Sequence, residues 1–205
     1  MLHKKDIERF HVDALLKRLT KLGYSHPDSI ESSERPDFIL QISDERIGLE
    51  ATRAVFQEYV RGAILHDTEC PNAWVVTTNL MDGPKRRSND EVVADMLNIC
   101  SDWKDSEQDM KDWREKISRS LNAKREKLNQ PGFQRFPKNW LLIYDEPGLE
   151  SDTFTCDRAC RHLAGIFSAR PQIPRDYDTI FLLSYRYLFR FHDGKLSLNY
   201  QAKEA

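Results

Sequence analysis

The chain has 205 residues, 40% of them hydrophobic and 31% charged, with a formal net charge of −2. This length suits one domain spanning 1–205, or one domain with an insertion, and the composition is that of a water-soluble globule, neither disordered nor membrane-embedded. So small a net charge gives the whole molecule no electrostatic claim on nucleic acid.

The N-terminal MLHKKDIERF is charged and no apolar stretch follows it. The longest apolar runs, such as Trp140 to Tyr144, fall far short of the roughly 18 residues a bilayer span requires. Four scattered cysteines, Cys70, Cys100, Cys156 and Cys160, do not make a secreted disulfide framework. The expectation is a cytoplasmic protein with reduced thiols and no membrane partner.

Residues 5 to 22 place Ile7, Phe10, Ala14, Leu15, Leu19 and Leu22 at spacings that predict an amphipathic helix, with Gly23 as its stop. Pro27 and the Ser/Glu-rich stretch from Asp28 to Arg35 read as an irregular connection with room for a short edge strand. Phe38 to Ile42 and Arg46 to Thr52 then read as paired strands around a turn at Ser43 to Glu45. Ala73 to Thr78 reads as a further strand, and Asp82-Gly83-Pro84 as a breaker. A long helical tract runs from Asn89 to Leu128, interrupted around Ser101 to Ser106 and stopped at Pro131-Gly132. The short apolar run Asn139 to Tyr144 predicts a strand buried on both faces in a mixed or parallel sheet. A helix over Cys156 to Ala169, a strand over Thr179 to Ser184 and a hairpin over Tyr187 to Tyr200, turning at Asp193-Gly194, complete the chain.

Charge is unevenly placed. Lys111 to Lys138 holds nine basic residues against three acidic ones, whereas Asn89 to Met110 holds seven acidic residues against Lys104. Two readings stand side by side: solvated helix faces that attract each other, and a surface facing phosphate.

The segment RPDFILQISDERIGLEATR carries the most chemistry. With Ser43 and Asp44 as a two-residue loop, Ile42 pairs with Glu45, and counting outward sets Asp37 opposite Glu50, whereas a three-residue loop shifts the register by one and leaves the two carboxylates near neighbours. Opposed side chains sit about 4.5–5.5 Å apart at Cβ, where like charges repel. Two carboxylates held that close call for a cation, and Mg²⁺ characteristically uses one or two carboxylates plus water and phosphate. The bland alternative has Asp37 capping the turn after Pro36 and Glu50 on a solvated face. Cys156, Cys160 and His162 fall short of the four ligands of a zinc site, and there is no phosphate-binding loop, G-x-G-x-x-G or G-x-S-x-G motif.

Pro36-Asp37 and Glu50-Ala51-Thr52 resemble the two elements of the PD-(D/E)XK nuclease superfamily. The resemblance implies an α/β fold with a restriction-endonuclease-like αβββαβ core over about residues 5–145. That core is a central mixed sheet flanked by helices, and a C-terminal helix and β-hairpin extend it over about 150–200. Either Asp28 to Ser33 or Ala73 to Thr78 would supply its remaining strand. The implied activity is metal-dependent phosphodiester hydrolysis of nucleic acid by a DNA endonuclease. Asp37, Glu50 and the Ala51 carbonyl would hold Mg²⁺ or Mn²⁺. Thr52 stands where the motif has lysine, so Lys124 or Lys127, three residues apart on one helix face, would supply the charge. Glu8 would be the upstream acid, with Glu31 and Glu34 as rivals. The alternative is a catalytically inactive nuclease-fold module that binds nucleic acid or a protein partner.

Overall fold

The computed structural model describes residues 4–73, 80, 87–97, 106–145, 155–170, 172, 176–184 and 187–201. The chain divides into two compact units, residues 1–54 with 110–205, and residues 55–109. The predicted strand over Ala73 to Thr78 lies, but for its first residue, outside the described residues.

The first unit opens with α1 (Lys4–Lys21). Its buried face is Glu8, His11, Val12, Leu15, Leu16 and Leu19, a repeat of three and four that fits one helical stripe. Phe10, expected on that stripe, is instead exposed, because the sheet selects the face one residue round, on which Val12 and Leu16 lie. Gly23 ends the helix at φ 88°. Its N–H reaches the Thr20 carbonyl and that of Tyr24 reaches Leu19, the paired bonds that close a helix through a left-handed glycine.

Three strands follow as an antiparallel meander: β1 (Ser29–Ser32), β2 (Phe38–Ile42) and β3 (Glu45–Ala54). The β2–β3 turn has two residues, and Ile42 pairs with Glu45 as counted from the sequence. Later in the chain come α4 (Ser106–Leu128), β4 (Lys138–Asp145), α5 (Cys156–Ser168), β5 (Thr179–Leu183), β6 (Tyr187–His192) and β7 (Lys195–Gln201). The seven strands form one sheet in chain order; β4 runs parallel to β3 and to β5, and every other pair is antiparallel. β4 therefore lies at the centre of the sheet, which explains why Leu141 to Tyr144 are apolar without alternation and buried throughout.

Side chains alternate across β3 and divide the core in two. Ile47, Leu49 and Ala51 pack with Val12, Leu15, Leu16 and Leu19 of α1. On the opposite face, Ala54, Leu141 and Ile143 pack with Trp113, Ile117 and Leu121 of α4 and Leu163 and Ile166 of α5. The result is an α/β protein with a mixed, open seven-stranded sheet and, among the described residues, five helices.

The second unit holds the other two helices, α2 (Gln57–Glu69) and α3 (Asn89–Leu97). Leu65, Leu80, Val92 and Met96 form its small core. α2 has no counterpart among the predicted elements: Ile64 is exposed while Gly62 and Leu65 face inward, so its apolar residues trace no clear stripe. Among the described residues no helix is long and apolar enough to cross a membrane, and Cys70, Cys156 and Cys160 are free thiols.

Candidate active site

Asp37 stands immediately before β2, one position beyond the Phe38–Leu49 pair. Continuing that register sets it across from Glu50. β2 ends at Phe38, so the edge of β3 beyond Leu49 is open on that side, and the Ala51 N–H donates to Asp37 Oδ2 at 3.0 Å. In an extended strand the N–H and C=O of one residue point the same way, so the Ala51 carbonyl faces the Asp37 side as well. Glu50 shares its face of β3 with Gly48, Thr52 and Ala54, the face that α4 covers. Gly48 is needed there: a Cβ would come within 2.8 Å of the Phe136 ring and 3.1 Å of Pro36, the residue that leads into Asp37.

α4 brings the cations. Ser120 Oγ donates to the Arg53 carbonyl, and one turn further on Lys124 reaches Glu50, so the helix runs antiparallel to β3. Lys124 Nζ lies 2.8 Å from Asp37 Oδ2 and 2.5 Å from Glu50 Oε2. Lys127 Nζ lies 3.1 Å from Asp37 Oδ1 and 3.0 Å from both Glu50 oxygens. The four groups form a closed cluster of two carboxylates and two ammonium ions. Its side chains are 1% exposed at Glu50, 12% at Lys124 and 28% at Lys127, so it opens to solvent at Lys127.

The two carboxyls differ. Burial pushes Asp37 up, but the Lys124 ammonium, the Ala51 amide and Lys127 outweigh it and hold Asp37 well below the usual carboxylate range. Glu50 is pushed up by burial, against the pull of Lys124 and with the negative charge of Asp37 adding to the rise. Burial lowers Lys127, yet Glu50 and Asp37 together raise it above the ordinary lysine value.

A segment just before β5 fixes the end of α4. Tyr177, itself buried, donates its hydroxyl to the Lys124 carbonyl at 3.0 Å, and Arg125 Nε bonds Asp176 Oδ2 at 2.8 Å. Asp178 ties the same segment to β4, accepting the Asn139 amide at 2.7 Å and donating its own to the Asn139 carbonyl. Burial raises the Tyr177 hydroxyl far above its ordinary value, and the charges of Glu50 and Asp37 add to the rise, which marks its closeness to the cluster. No spacing or motif in the sequence pointed to Asp176 or Tyr177.

Asp37, Glu50, Lys124 and Lys127 thus come together, with the Ala51 backbone beside them. Glu8 does not join them as a third acid. It lies on the sheet-facing side of α1, across the sheet from Glu50, with Oε1 3.5 Å from Lys4 and Oε2 accepting no hydrogen bond. Glu31 sits on β1 near Arg46, and Glu34 is exposed. Among the described residues, no group of three or more His, Cys, Asp or Glu side chains is placed to hold a metal ion. Cys156 and Cys160 approach to 3.9 Å while packing against the α4–α5 core. In the basic segment Lys116, Arg119, Lys124, Arg125, Lys127 and Lys138 each have a carboxylate partner within their own unit, so most of its charge is neutralised inside the fold.

The class that fold and site define is an α/β protein with a buried two-carboxylate, two-lysine centre at the open end of a β-hairpin. No family model, curated protein or solved structure matches the chain.

Proposed function

We propose that the protein is a metal-dependent phosphodiesterase of nucleic acid, with DNA as the substrate class, built on a PD-(D/E)XK-like core. The observation that carries this reading is the Lys124 ammonium touching one oxygen of Asp37 and one of Glu50. A lysine missing at Thr52 is thereby matched by one from α4. The order α1, β1, β2, β3, α4, β4 supports it too, since it follows αβββαβ with residues 55–105 inserted between β3 and α4.

The donor set suits a hard cation: two converging carboxylates and the Ala51 carbonyl would hold Mg²⁺ or Mn²⁺, which complete their shells with water and phosphate. When bound, such an ion supplies a water of lowered pKa and polarises the phosphate. The lysines supply the remainder. Phosphoryl transfer rests on positioning and on stabilising charge as it develops, so ammonium groups aimed at one point serve whichever element carries them. Lys127, the more exposed, would meet an incoming phosphate, and Tyr177 and Asp176 hold the helix end through the Lys124 carbonyl and Arg125.

Plasmid and linear DNA cleavage in Mg²⁺ or Mn²⁺, with chelator controls, tests this reading. Wild-type cleavage that survives unchanged in Asp37→Asn would sink it. One observation favours a second reading, a non-catalytic module of the same fold: the four charges balance two against two and satisfy each other without an ion. DNA binding with no cleavage under either metal would select that reading.

A further inference from the structure

We propose that the Lys124 ammonium is the built-in occupant of the cation position between Asp37 and Glu50, so that a divalent ion binds there by displacing it. This rests on the metal-binding part of the function proposed above. A single nitrogen lies within hydrogen-bond distance of Asp37 Oδ2 and Glu50 Oε2, one oxygen from each of the carboxylates that would hold the ion. Mg²⁺ draws its oxygens to about 2.0–2.1 Å. An ammonium group and a dication cannot occupy that space together, since both are positive and the surroundings screen them poorly.

Charge balance points the same way. Two carboxylates and two ammonium ions make the resting cluster neutral. A dication added with both lysines in place would leave it at +2 in a buried setting, which is costly until a phosphate arrives. Releasing Lys124 removes part of that excess.

The surroundings make Lys124 the group that moves. Its backbone carbonyl is held by Tyr177 and the neighbouring Arg125 by Asp176, so the helix stays in place while the side chain swings. Lys127 contacts the other oxygens, Asp37 Oδ1 and Glu50 Oε1, as well as Glu50 Oε2, and can keep the first two while an ion sits between the carboxylates. Tyr177 is accordingly a positioning residue, and the displaced ammonium becomes available to phosphate only once the ion is bound.

Calorimetric titration of Mn²⁺ into the full chain separates this inference from the reading it rests on. Lys124→Met should bind Mn²⁺ about tenfold more tightly than wild type or better, the effect of removing one adjacent like charge, with a smaller gain for Lys127→Met. Wild-type binding as tight as that of Lys124→Met, or tighter, overturns the displacement while leaving a metal enzyme intact. Binding by Lys124→Met alone would mean that Lys124 fills the cation position and is not displaced, which overturns both the displacement and the metal-dependent function of the wild type. An absence of binding in all three proteins overturns both. A second measurement needs no variant: reductive methylation of wild type, mapped by mass spectrometry. Lys124 should label slowly in chelator and several-fold faster in saturating Mg²⁺, whereas Lys4, which is 83% exposed, should not change. Equal Lys124 labelling in the two conditions, with Mg²⁺ shown to bind, overturns the proposal.

Discussion

Two buried ionic clusters lie along α4, and they are built on different principles. Near the middle of the helix, Asp145 accepts the Trp113 indole N–H at 2.8 Å and the Lys116 ammonium at 3.2 Å. One carboxylate there meets a neutral donor, the core residue Trp113, and the Lys116 ammonium. Two turns on, Asp37 and Glu50 meet Lys124 and Lys127. Here two like charges face each other across a hairpin, an arrangement that burial makes unfavourable unless cations remain between them. The first cluster fastens a helix to a strand. The second brings two carboxylates together that only cations keep in place, and the proposed exchange for a metal ion and a phosphate rests on that difference.

Cleavage assays give the largest expected contrast. Asp37→Asn and, under saturating Mn²⁺, Lys124→Met should each lower DNA cleavage by roughly 10²-fold or more, as loss of a transition-state charge partner does. Asp145→Asn should leave cleavage at the wild-type rate in folded protein. Loss of cleavage in Asp145→Asn without unfolding would erase the distinction between the two clusters.

Stability should sharpen the comparison within the second cluster. Asp37→Asn leaves buried ammonium groups short of a partner and should cost about 3–5 kcal/mol in denaturant titrations, whereas Glu50→Gln should cost less. The sign follows from linkage. The lowered pKa of Asp37 means its ionised form stabilises the fold; that stability is present above the unfolded value of about 3.9 and is lost as pH falls through the lower folded pKa. The raised pKa of Glu50 works oppositely, its contribution being fully present below the unfolded value of about 4.3 and lost as pH rises through the folded pKa. Glu50→Gln should therefore gain stability relative to wild type as melts move from pH 4 to pH 7. A difference that stays constant over that window would mean that the proton does not reside on Glu50.

Smaller effects test the frame around the site. Gly48→Ala drives a Cβ toward the Phe136 and Pro36 rings, and should cost about 1–3 kcal/mol with some loss of cleavage, because Pro36 leads directly into Asp37. At the bottom of the scale, Arg119→Ala removes the exposed i, i+4 contact to Glu115, and melts should shift by no more than about 0.5 kcal/mol. A larger loss there would mean that the basic face of α4 contributes more to the fold than its exposure suggests.

Much of this was legible because it depended on local periodicity. The alternation in β3 and a two-residue turn were enough to count Asp37 onto Glu50. Lys124 also carried a signal: it falls at an apolar position in the series Met110, Trp113, Ile117, Leu121, Leu128, so a charge sits where the helix faces the core. The face of α1 was harder, since Phe10 and Val12 both allow an amphipathic reading and only the sheet decides between them. α2 escaped because Gly62 and Ile64 blur its stripe.

The sequence by itself determined the order of elements in the first unit apart from β1, and the closeness of Asp37 and Glu50 across the hairpin, because strand alternation and turn length act over a few residues. Only the tertiary structure decided that α4 lies antiparallel to β3 on the Glu50 face, that both lysines rather than one reach the carboxylates, that Tyr177 and Asp176 hold the helix end, and that Glu8 falls on the other side of the sheet. Those outcomes join residues as far apart as Asp37 and Lys127. Such contacts follow from how helices pack on the two faces of a sheet, and side-chain burial over the whole core sets that packing.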